Sequence, residues 1–308
     1  MDKYYELKKK YREFYLKECI PILKNMKWTV KKKRSPVKDA FEFIIAILLA
    51  SFIIYCDAAI FHNKENITLY IFIFVIIILA GLKTQKAGYN IEEKMIQIMC
   101  KCIGNIHYKN GCNWNCREIK QRDALYIESG LIPKFDLRGS YGHCFYGKFD
   151  GIKYEIIDSS FIRTGKFTSY DWFFNGIIIR LEMNKKFNGC TVIRQDSLLH
   201  NSPSSSLKHT VLEDVKFEKD FDVFTNDEVE ARYLITPSFI EKINKINMII
   251  SFSASFYSCS FYQGYLFIAL NKAKLLNIFN SNYSQMADNI ISILSLIDYF
   301  KLNEKTGL

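Results

Sequence analysis

The chain has 308 residues, of which 49% are hydrophobic, and its formal net charge is +10 at pH 7. This length accommodates one large domain, or a smaller domain with appendages. Residues 1–38 hold thirteen Lys and Arg against four Asp and Glu, so the rest of the chain is close to neutral. A near-neutral remainder excludes the domain-wide basic surface that typical nucleic-acid-binding proteins carry.

The first predicted element is a basic amphipathic helix over residues 3–27, interrupted near Pro21. Aromatic and aliphatic side chains recur in it at helical spacing, with lysines between them. Two positions are open to this helix: it lies on the inner leaflet of a membrane, which we favour, or it packs on a cytoplasmic domain. Residues 1–38 therefore form a predicted basic cytoplasmic arm. The arm ends in cations predicted to lie at an anionic membrane surface, Lys31, Lys32, Lys33 and Arg34.

Two apolar runs, 41–61 and 67–81, follow the arm. As a helix the first is about 31 Å long, close to the roughly 30 Å of a bilayer core, and the second reaches about 24 Å with Leu82. A helical hairpin buried in a soluble core is the alternative, but such helices rarely lack a polar face. The sequence thus predicts a transmembrane hairpin over 41–83. Because cations collect before the first span, we expect two spans in a bacterial inner membrane, with both termini in the cytoplasm.

Residues 88–308 are predicted to form a cytoplasmic α+β domain with a mostly antiparallel sheet and a C-terminal helix. Helical patterns cover 90–106, roughly 114–128 and 283–302. Alternating and apolar runs between them predict about seven strands, with a hairpin turn at Asp150-Gly151. These strands lie within 142–162, 172–183, 190–196, 221–225 and 249–271. Seven strands followed by a helix is also the arrangement of pleckstrin-homology-like domains.

Four of the nine cysteines cluster with a histidine in CKCIGNIHYKNGCNWNC. They are Cys100, Cys102, Cys112 and Cys116, with His107 between them. A zinc site is one interpretation, but the spacing lacks the paired CxxC motifs of typical zinc sites. The first two cysteines also fall in a helical pattern, where residues two apart point in different directions. Free thiols are the favoured interpretation for a cytoplasmic domain, and neither a metal nor another cofactor is predicted.

An acidic block, VLEDVKFEKDFDVFTNDEVEARYLITP at residues 211–237, holds eight acidic side chains against three basic ones. Helix-capping rules explain part of this composition. Thr225 and Glu228 have the spacing of a capping box, which predicts a helix that begins after Thr225. Phe224 and Val229 occupy the two positions of a hydrophobic staple around the same helix start.

The same rules explain four further residues of the acidic block. Asp227 would lie in the first turn of the helix, where the helix dipole favours an anion. Glu228 and Arg232 are four residues apart with the acid first, the favourable order for a helical ion pair. Alternatively, Arg232 is buried against another acid of the block, Glu230 or Asp214, in which case its loss would unfold the domain. Thr236 and Pro237 predict the start of a second helix.

Capping rules leave unexplained the carboxylates Glu213, Asp214, Glu218, Asp220, Asp222 and Glu230. A solvated or structural face is favoured for them, with partner docking and a metal or acid-base site as alternatives. Their order matches no calcium loop, because the central Gly and the final bidentate Glu are missing. The chain has no GxSxG, HExxH, P-loop or GxGxxG motif, so no catalytic residue is predicted. The candidate docking or structural cluster is Asp214, Asp220, Asp222, Asp227, Glu228, Glu230, Arg232 and Tyr233.

The acidic block resembles the signature of the bacterial family called domain of unknown function 3137, whose members have a similar N-terminal membrane hairpin. The matching positions are Asp214, Phe217, Phe221, Asp227, Glu230, Ala231, Arg232, Tyr233 and Pro237. Further likeness lies in ESGLIP (128–133), in 142–160, in 175–193 and in the final strand hairpin, so the resemblance covers about 90–300. It implies membership of a membrane-anchored family, but no activity and no catalytic role.

These patterns predict a bacterial inner-membrane protein whose hairpin tethers a non-catalytic interaction or ligand-sensing domain. Its expected partners are the anionic inner leaflet and a protein, with a second copy of this chain as one alternative, and no nucleic acid. A membrane-tethered, metal-assisted hydrolase that uses the unexplained carboxylates is the second hypothesis. The third is a pore-forming oligomer of the hairpins, supported by Asp57 near the outer end of the first span.

Overall fold

The computed structural model describes residues 2–22, 24, 93–94, 96–101, 106–110, 114–132, 137–163, 171–195, 203–204, 206–250, 254–275 and 283–304. The two apolar runs, the basic cluster Lys31–Arg34 and Asp57 lie outside these stretches. Within the stretches, no helix combines the length and the apolar character needed to cross a membrane. The chain divides into two compact units, Met1–Glu13 with Met99–Leu308, and Phe14–Ile98. The described part of the second unit comprises a π-helical turn, Tyr15–Cys19, and short helical stretches near its two ends.

One sheet dominates the first unit, and its described strands run in the order β1-β2-β3-β4-β9-β8-β5-β7-β6 with antiparallel pairings throughout. The strands are β1 (Ile106–Lys109), β2 (Leu137–Phe149), β3 (Ile152–Arg163), β4 (Asp171–Glu182), β5 (Thr191–Gln195), β6 (Lys208–His209), β7 (Phe221–Thr225), β8 (Ser255–Tyr262) and β9 (Tyr265–Asn271). The helices are α1 (Asp2–Phe14), α2 (Cys116–Glu128), α3 (Phe217–Asp220), α4 (Glu228–Leu234), α5 (Pro237–Asn244), α6 (Ile246–Ile249) and α7 (Tyr283–Tyr299). This confirms the α+β class, the mostly antiparallel sheet and the C-terminal helix. Nine described strands in one sheet replace the seven of the pleckstrin-homology-like prediction.

The long hairpins of the sheet form where the sequence places turn residues. Asp150 and Gly151 connect β2 to β3 with φ values of 49° and 82°. Gln263 and Gly264 connect β8 to β9 with φ values of 49° and 77°. Two successive left-handed residues make a turn whose twist matches the flanking strands, and glycine adopts this conformation without a steric cost. The turn predicted at Asp150-Gly151 is therefore confirmed.

The sheet is buried on both faces. On one face, Tyr126 of α2 packs edge-on against Phe161 and Phe267, with ring centroids 6.4 and 6.3 Å apart. On the opposite face, Phe239 of α5 packs against Phe261, with centroids 5.2 Å apart, and the same ring lies 5.5 Å from Phe300, just after α7. Burial on two faces explains why the central strands read as continuous apolar runs rather than as alternating ones.

Strand β1 corrects the helix predicted over 90–106. The described residues 96–101 are helical, but residues 106–109 pair with Cys144–Gly147 of β2. This four-residue edge strand is mostly half-exposed and carries no apolar stripe of its own. Its conformation depends on pairing with a strand some 35 residues away, which a local pattern does not encode.

Helix α1 packs on the sheet domain, which is one of the two positions that the sequence analysis left open for it. Tyr4 donates a hydrogen bond to the Asp298 carboxylate of α7 at 2.8 Å. One and two turns further along α1, Lys8 and Arg12 contact α7 as well. The amphipathic helix predicted within residues 3–27 is thus present, and residues 2–13 pack on the sheet domain, while the membrane position favoured for it stays a prediction.

Candidate functional site

The acidic block begins helix α4 at a different residue from the one predicted. The N-cap is Asp227, whose carboxylate accepts the backbone N–H of Glu230 at 2.9 Å. Thr225 instead ends strand β7, where its hydroxyl lies 3.0 Å from that of Thr191 on β5. Strand pairing therefore continues through the predicted cap and moves the helix start two residues along. The predicted staple is also absent, because Val229 is 81% exposed.

The second helix start in the block follows the local rules. Thr236 is the N-cap of α5, and its hydroxyl accepts the backbone N–H of Phe239 at 3.2 Å. Pro237 occupies the first position of the helix. Proline fits this position because the first N–H groups of a helix have no intrahelical partner. This prediction is confirmed.

Glu230 holds the loop between β4 and β5, residues 183–190, which we call the β4–β5 loop. Its two carboxylate oxygens accept the backbone N–H groups of Asn188 and Gly189, at 2.7 and 2.5 Å. A β-carbon at Gly189 would collide with the nearer oxygen, so this close approach requires glycine. The carboxylate that capping rules left unexplained therefore joins α4 to a loop some 40 residues away.

Tyr233 and Lys185 make a second contact between α4 and the β4–β5 loop. The Lys185 ammonium donates to the backbone carbonyl of Tyr233 at 2.9 Å and lies 3.8 Å from the centroid of the Tyr233 ring. A cation is stabilised at the C-terminal end of a helix and over an aromatic face. Burial lowers the pKa of Lys185. Together, Glu230 and Tyr233 hold the loop at both ends of α4.

Two further carboxylates of the block bind backbone at the start of α3. The Asp214 carboxylate accepts the N–H groups of Lys216 and Phe217, both at 3.0 Å. Glu218 accepts the N–H of Leu212 at 2.7 Å. These carboxylates thus fix the segment that precedes the helix, in agreement with the structural role favoured for them.

Asp222 and Arg232 are less firmly held. Asp222 lies 3.4 Å from the His209 ring of β6, and both side chains are partly exposed. Arg232 lies 3.9 Å from Glu213, with side-chain exposures of 48% and 97%. The buried arrangement considered for Arg232 is therefore wrong, and the contact is with Glu213 rather than with Glu228. Exposed ion pairs of this kind contribute little to stability.

Four large apolar side chains of the acidic block are exposed, and we call them the exposed patch: Val211, Val215, Val229 and Tyr233. Val229 and Tyr233 are one turn apart on α4, and the Arg232–Glu213 contact brings residues 211–215 beside that helix. The carboxylates of Glu213, Asp220 and Glu228, which we call the acidic rim, are exposed in the same block. The patch thus combines apolar side chains with an acidic rim.

The cysteine cluster is only partly described. Cys100 is buried, and desolvation raises the pKa of its thiol to about 12. Cys116 is exposed at the first residue of α2, and His107 lies on β1. Cys102 and Cys112 fall outside the described residues. Among the residues that are described, no group of three or more His, Cys, Asp or Glu side chains is placed to hold a metal ion.

A buried ion pair under α2 was not anticipated from the sequence. The Arg122 guanidinium donates to both oxygens of Glu155 on β3, at 2.8 and 2.5 Å. Arg180 of β4 lies 3.8 Å from the same carboxylate, and the Trp114 ring covers Arg122 at 4.3 Å. Burial alone would raise the pKa of Glu155, but the hydrogen bonds and charge of Arg122, together with the charge of Arg180 and a hydrogen bond from Cys144, outweigh burial and hold the pKa below its usual value. The one available signal was an acid on the inward-facing side of an apolar strand.

Arg194 was also missed, and it explains the ESGLIP segment. This buried side chain on β5 donates to the carbonyl of Gly130 at 2.7 Å, while its Nε and Nη1 atoms have no hydrogen-bond partner. Ser258 of β8 donates to the carbonyl of Leu131 at 3.2 Å, and Ser260 donates to that of Ser129. Side chains of the sheet therefore hold three consecutive carbonyls of the segment that follows α2.

Comparison with known proteins extends the sequence resemblance. The family described as "Protein of unknown function (DUF3137)" matches residues 173–302, which run from β4 to just beyond α7. No curated protein matches the chain. The crystal structure of the mycobacterial trehalose monomycolate transport factor A, TtfA, aligns over 53% of this chain and 74% of its own, at 12% identity and a TM-score of 0.31. The match over residues 173–302 supports the resemblance to the family and includes the acidic block and the β4–β5 loop.

Proposed function

We propose that the chain is a membrane-tethered interaction module that binds a basic segment of a protein partner through the exposed patch and its acidic rim. One observation carries the proposal. Of the eight large hydrophobic side chains exposed among the described residues, four belong to this patch. Exposed apolar side chains that cluster inside a polar rim are typical of interaction sites.

Charge indicates the chemistry of the partner. The acidic block holds eight carboxylates, of which Asp214, Glu218, Asp227 and Glu230 bind backbone N–H groups. Three cations, Lys216, Lys219 and Arg232, accompany these eight carboxylates, so the block as a whole carries an excess of negative charge. Complementary charge steers association and suppresses the wrong partners. A partner segment with Lys or Arg beside an apolar side chain fits this surface.

The tether belongs to the same proposal. It is supported by the lengths of the apolar runs 41–61 and 67–81 and by the collection of cations before the first of them. This arrangement would place the sheet domain on the cytoplasmic side of a bacterial inner membrane. Extraction of the full-length chain from native membranes by alkaline carbonate would contradict the tether, because a spanning protein stays in the pellet.

Photo-crosslinking of the full-length chain in native membranes tests the docking surface. A photoreactive amino acid is placed at Val229 in the patch, and in a second variant at Met248, which is 84% exposed and lies outside the block. We expect an adduct with a basic peptide of one partner from position 229 and not from position 248. Equal adducts from both positions would contradict the docking surface, and an adduct with this same chain would make the partner a second copy.

A charge-reversal variant separates the rim from the fold. Glu213→Lys/Glu228→Lys alters two exposed carboxylates that bind no described backbone group, and it should remove the adduct at position 229 without lowering the melting temperature. Glu241→Lys reverses a carboxylate on α5 that lies outside the block and is 68% exposed, and it should leave the adduct intact. Loss of the adduct in both variants would show a general charge effect and would count against a local surface.

A further inference from the structure

Helices α1 and α7 lie antiparallel, and their contacts recur at each turn of α1. Tyr4 reaches Asp298, Lys8 donates to the Ser292 hydroxyl at 2.8 Å, and Arg12 lies 3.2 Å from Asp288. Residues four apart share one face of a helix, so a single stripe of α1 makes all these contacts.

A further cation of α1 joins the same contact. Lys3 forms an ion pair with Asp150 at the β2–β3 turn, and its ammonium lies 4.9 Å from the centroid of the Phe149 ring. Asp150, Asp288 and Asp298 are thus the acidic docking site of α1. The helix is held on the domain by two cation–carboxylate pairs, by hydrogen bonds from Tyr4 and Lys8, and by the buried ring of Tyr11.

The contacts of α1 with the sheet domain are of a kind that a competing surface can replace. The side chains of Lys3 and Arg12 are 52% and 63% exposed within their ion pairs, so solvent and salt screen them. Lys8 is more enclosed, and burial lowers its pKa, which means that docking makes its charged form less favourable. A competing anionic surface that keeps these cations hydrated would therefore draw α1 away from the domain.

We propose that α1 is a latch with two mutually exclusive positions, docked on the acidic site of the sheet domain or bound to anionic phospholipid. Lys3, Lys8 and Arg12 serve both positions, and each cation contacts one of the two partners at a time. This inference rests on the membrane tether of the proposed function. It assigns to the arm a role that depends on lipid composition, since juxtamembrane cations bind surfaces of anionic lipid.

Charge and chain length favour lipid as the competitor. Lys9 and Lys10 are exposed on α1 beside the docked stripe, so the helix presents cations even while it is docked. Residues 25–40 separate the described helix from the first predicted span, and sixteen residues reach at most about 50 Å. This length permits either position. Residues 31–34 add four consecutive cations to the same arm.

Zero-length carbodiimide crosslinking of the full-length chain in nanodiscs measures the docked state without any mutation. The reagent joins a lysine to a carboxylate that contacts it, so the Lys3–Asp150 product reports docking. Lys153 and Glu182, 2.9 Å apart on neighbouring strands, give an internal control product that does not involve α1. We expect the ratio of the two products to fall by about tenfold when phosphatidylcholine nanodiscs are replaced by nanodiscs with equal parts of phosphatidylcholine and phosphatidylglycerol.

Variants distinguish a latch from a change in the domain itself. Lys9→Gln/Lys10→Gln leaves the docked contacts intact and should reduce the effect of phosphatidylglycerol, because it removes attraction to lipid alone. Asp288→Asn/Asp298→Asn should lower the product ratio even in phosphatidylcholine. An unchanged ratio between the two lipids, in a chain that has entered both nanodiscs, would overturn the latch. Failure of the chain to enter either nanodisc would overturn the tether.

Discussion

Glu230 and Glu155 each accept hydrogen bonds through both carboxylate oxygens, yet they stabilise the fold in different ways. Glu230 accepts two backbone N–H groups of the β4–β5 loop at the edge of the acidic block. Glu155 accepts hydrogen bonds from two nitrogens of the Arg122 guanidinium beneath α2, and its side chain is 9% exposed. The first interaction orders a loop, while the second neutralises a buried charge. The loss in the free energy of unfolding therefore depends less on the number of hydrogen bonds removed than on whether an unpaired charge stays buried.

Loss of Arg122 should have the largest effect. Arg122→Ala leaves the Glu155 carboxylate buried with Arg180, 3.8 Å away, as its remaining cation, and we expect a loss of about 3–5 kcal/mol in the free energy of unfolding. Chemical denaturation measures it. The double variant Arg122→Leu/Glu155→Leu removes both charges and should recover most of the loss. A single variant as stable as the double one would contradict a charge-based cost.

Loss of Glu230 should have a smaller effect. Glu230→Ala leaves the N–H groups of Asn188 and Gly189 without their acceptor, but water can replace it, and we expect a loss of about 2 kcal/mol. Glu228→Ala is the matched control, because it removes an exposed acid from the same helix. Similar melting temperatures for the two variants would contradict the assignment of Glu230 to the loop.

Arg194 is a buried cation, and its substitution tests how far a buried charge affects stability. Two of its nitrogens have no partner, so its charge gains little from its surroundings. Arg194→Met keeps most of the buried volume and should lose less than about 1 kcal/mol, whereas Arg194→Ala also leaves a cavity and should lose about 3 kcal/mol. Denaturation curves in which both variants lose the same amount would show that the guanidinium itself stabilises the Gly130 segment.

The sequence predicted those parts of the fold that depend on neighbouring residues. The turn at Asp150-Gly151 and the start of α5 at Thr236 follow from backbone preferences over two to four positions. The cap at Thr225 failed because strand pairing with Thr191, far along the chain, takes precedence over a local capping box. The Arg122–Glu155 pair was out of reach for the same reason, since no pattern relates residues 33 positions apart.

The acidic block shows the same limit in its site residues. Its role as structure rather than as an active site was predicted for Asp214 and Glu230, because no catalytic motif surrounds them. Their partners were not, since the N–H groups that Glu230 binds belong to the β4–β5 loop. Composition therefore drew attention to these two carboxylates, and only the fold shows which backbone groups each of them binds.

Arg232 should show the smallest effect on stability, and for that reason it separates structure from binding. Its neighbours on α4, Glu230 and Tyr233, hold the β4–β5 loop. Arg232 itself lies 3.9 Å from Glu213, which is almost fully exposed. Arg232→Ala should change the free energy of unfolding by no more than a few tenths of a kcal/mol, as for other exposed pairs. Any effect on the photo-crosslink at position 229 would then come from the surface itself. A melting temperature lowered as much as in Glu230→Ala would instead mean that Arg232 belongs with the residues that hold the loop.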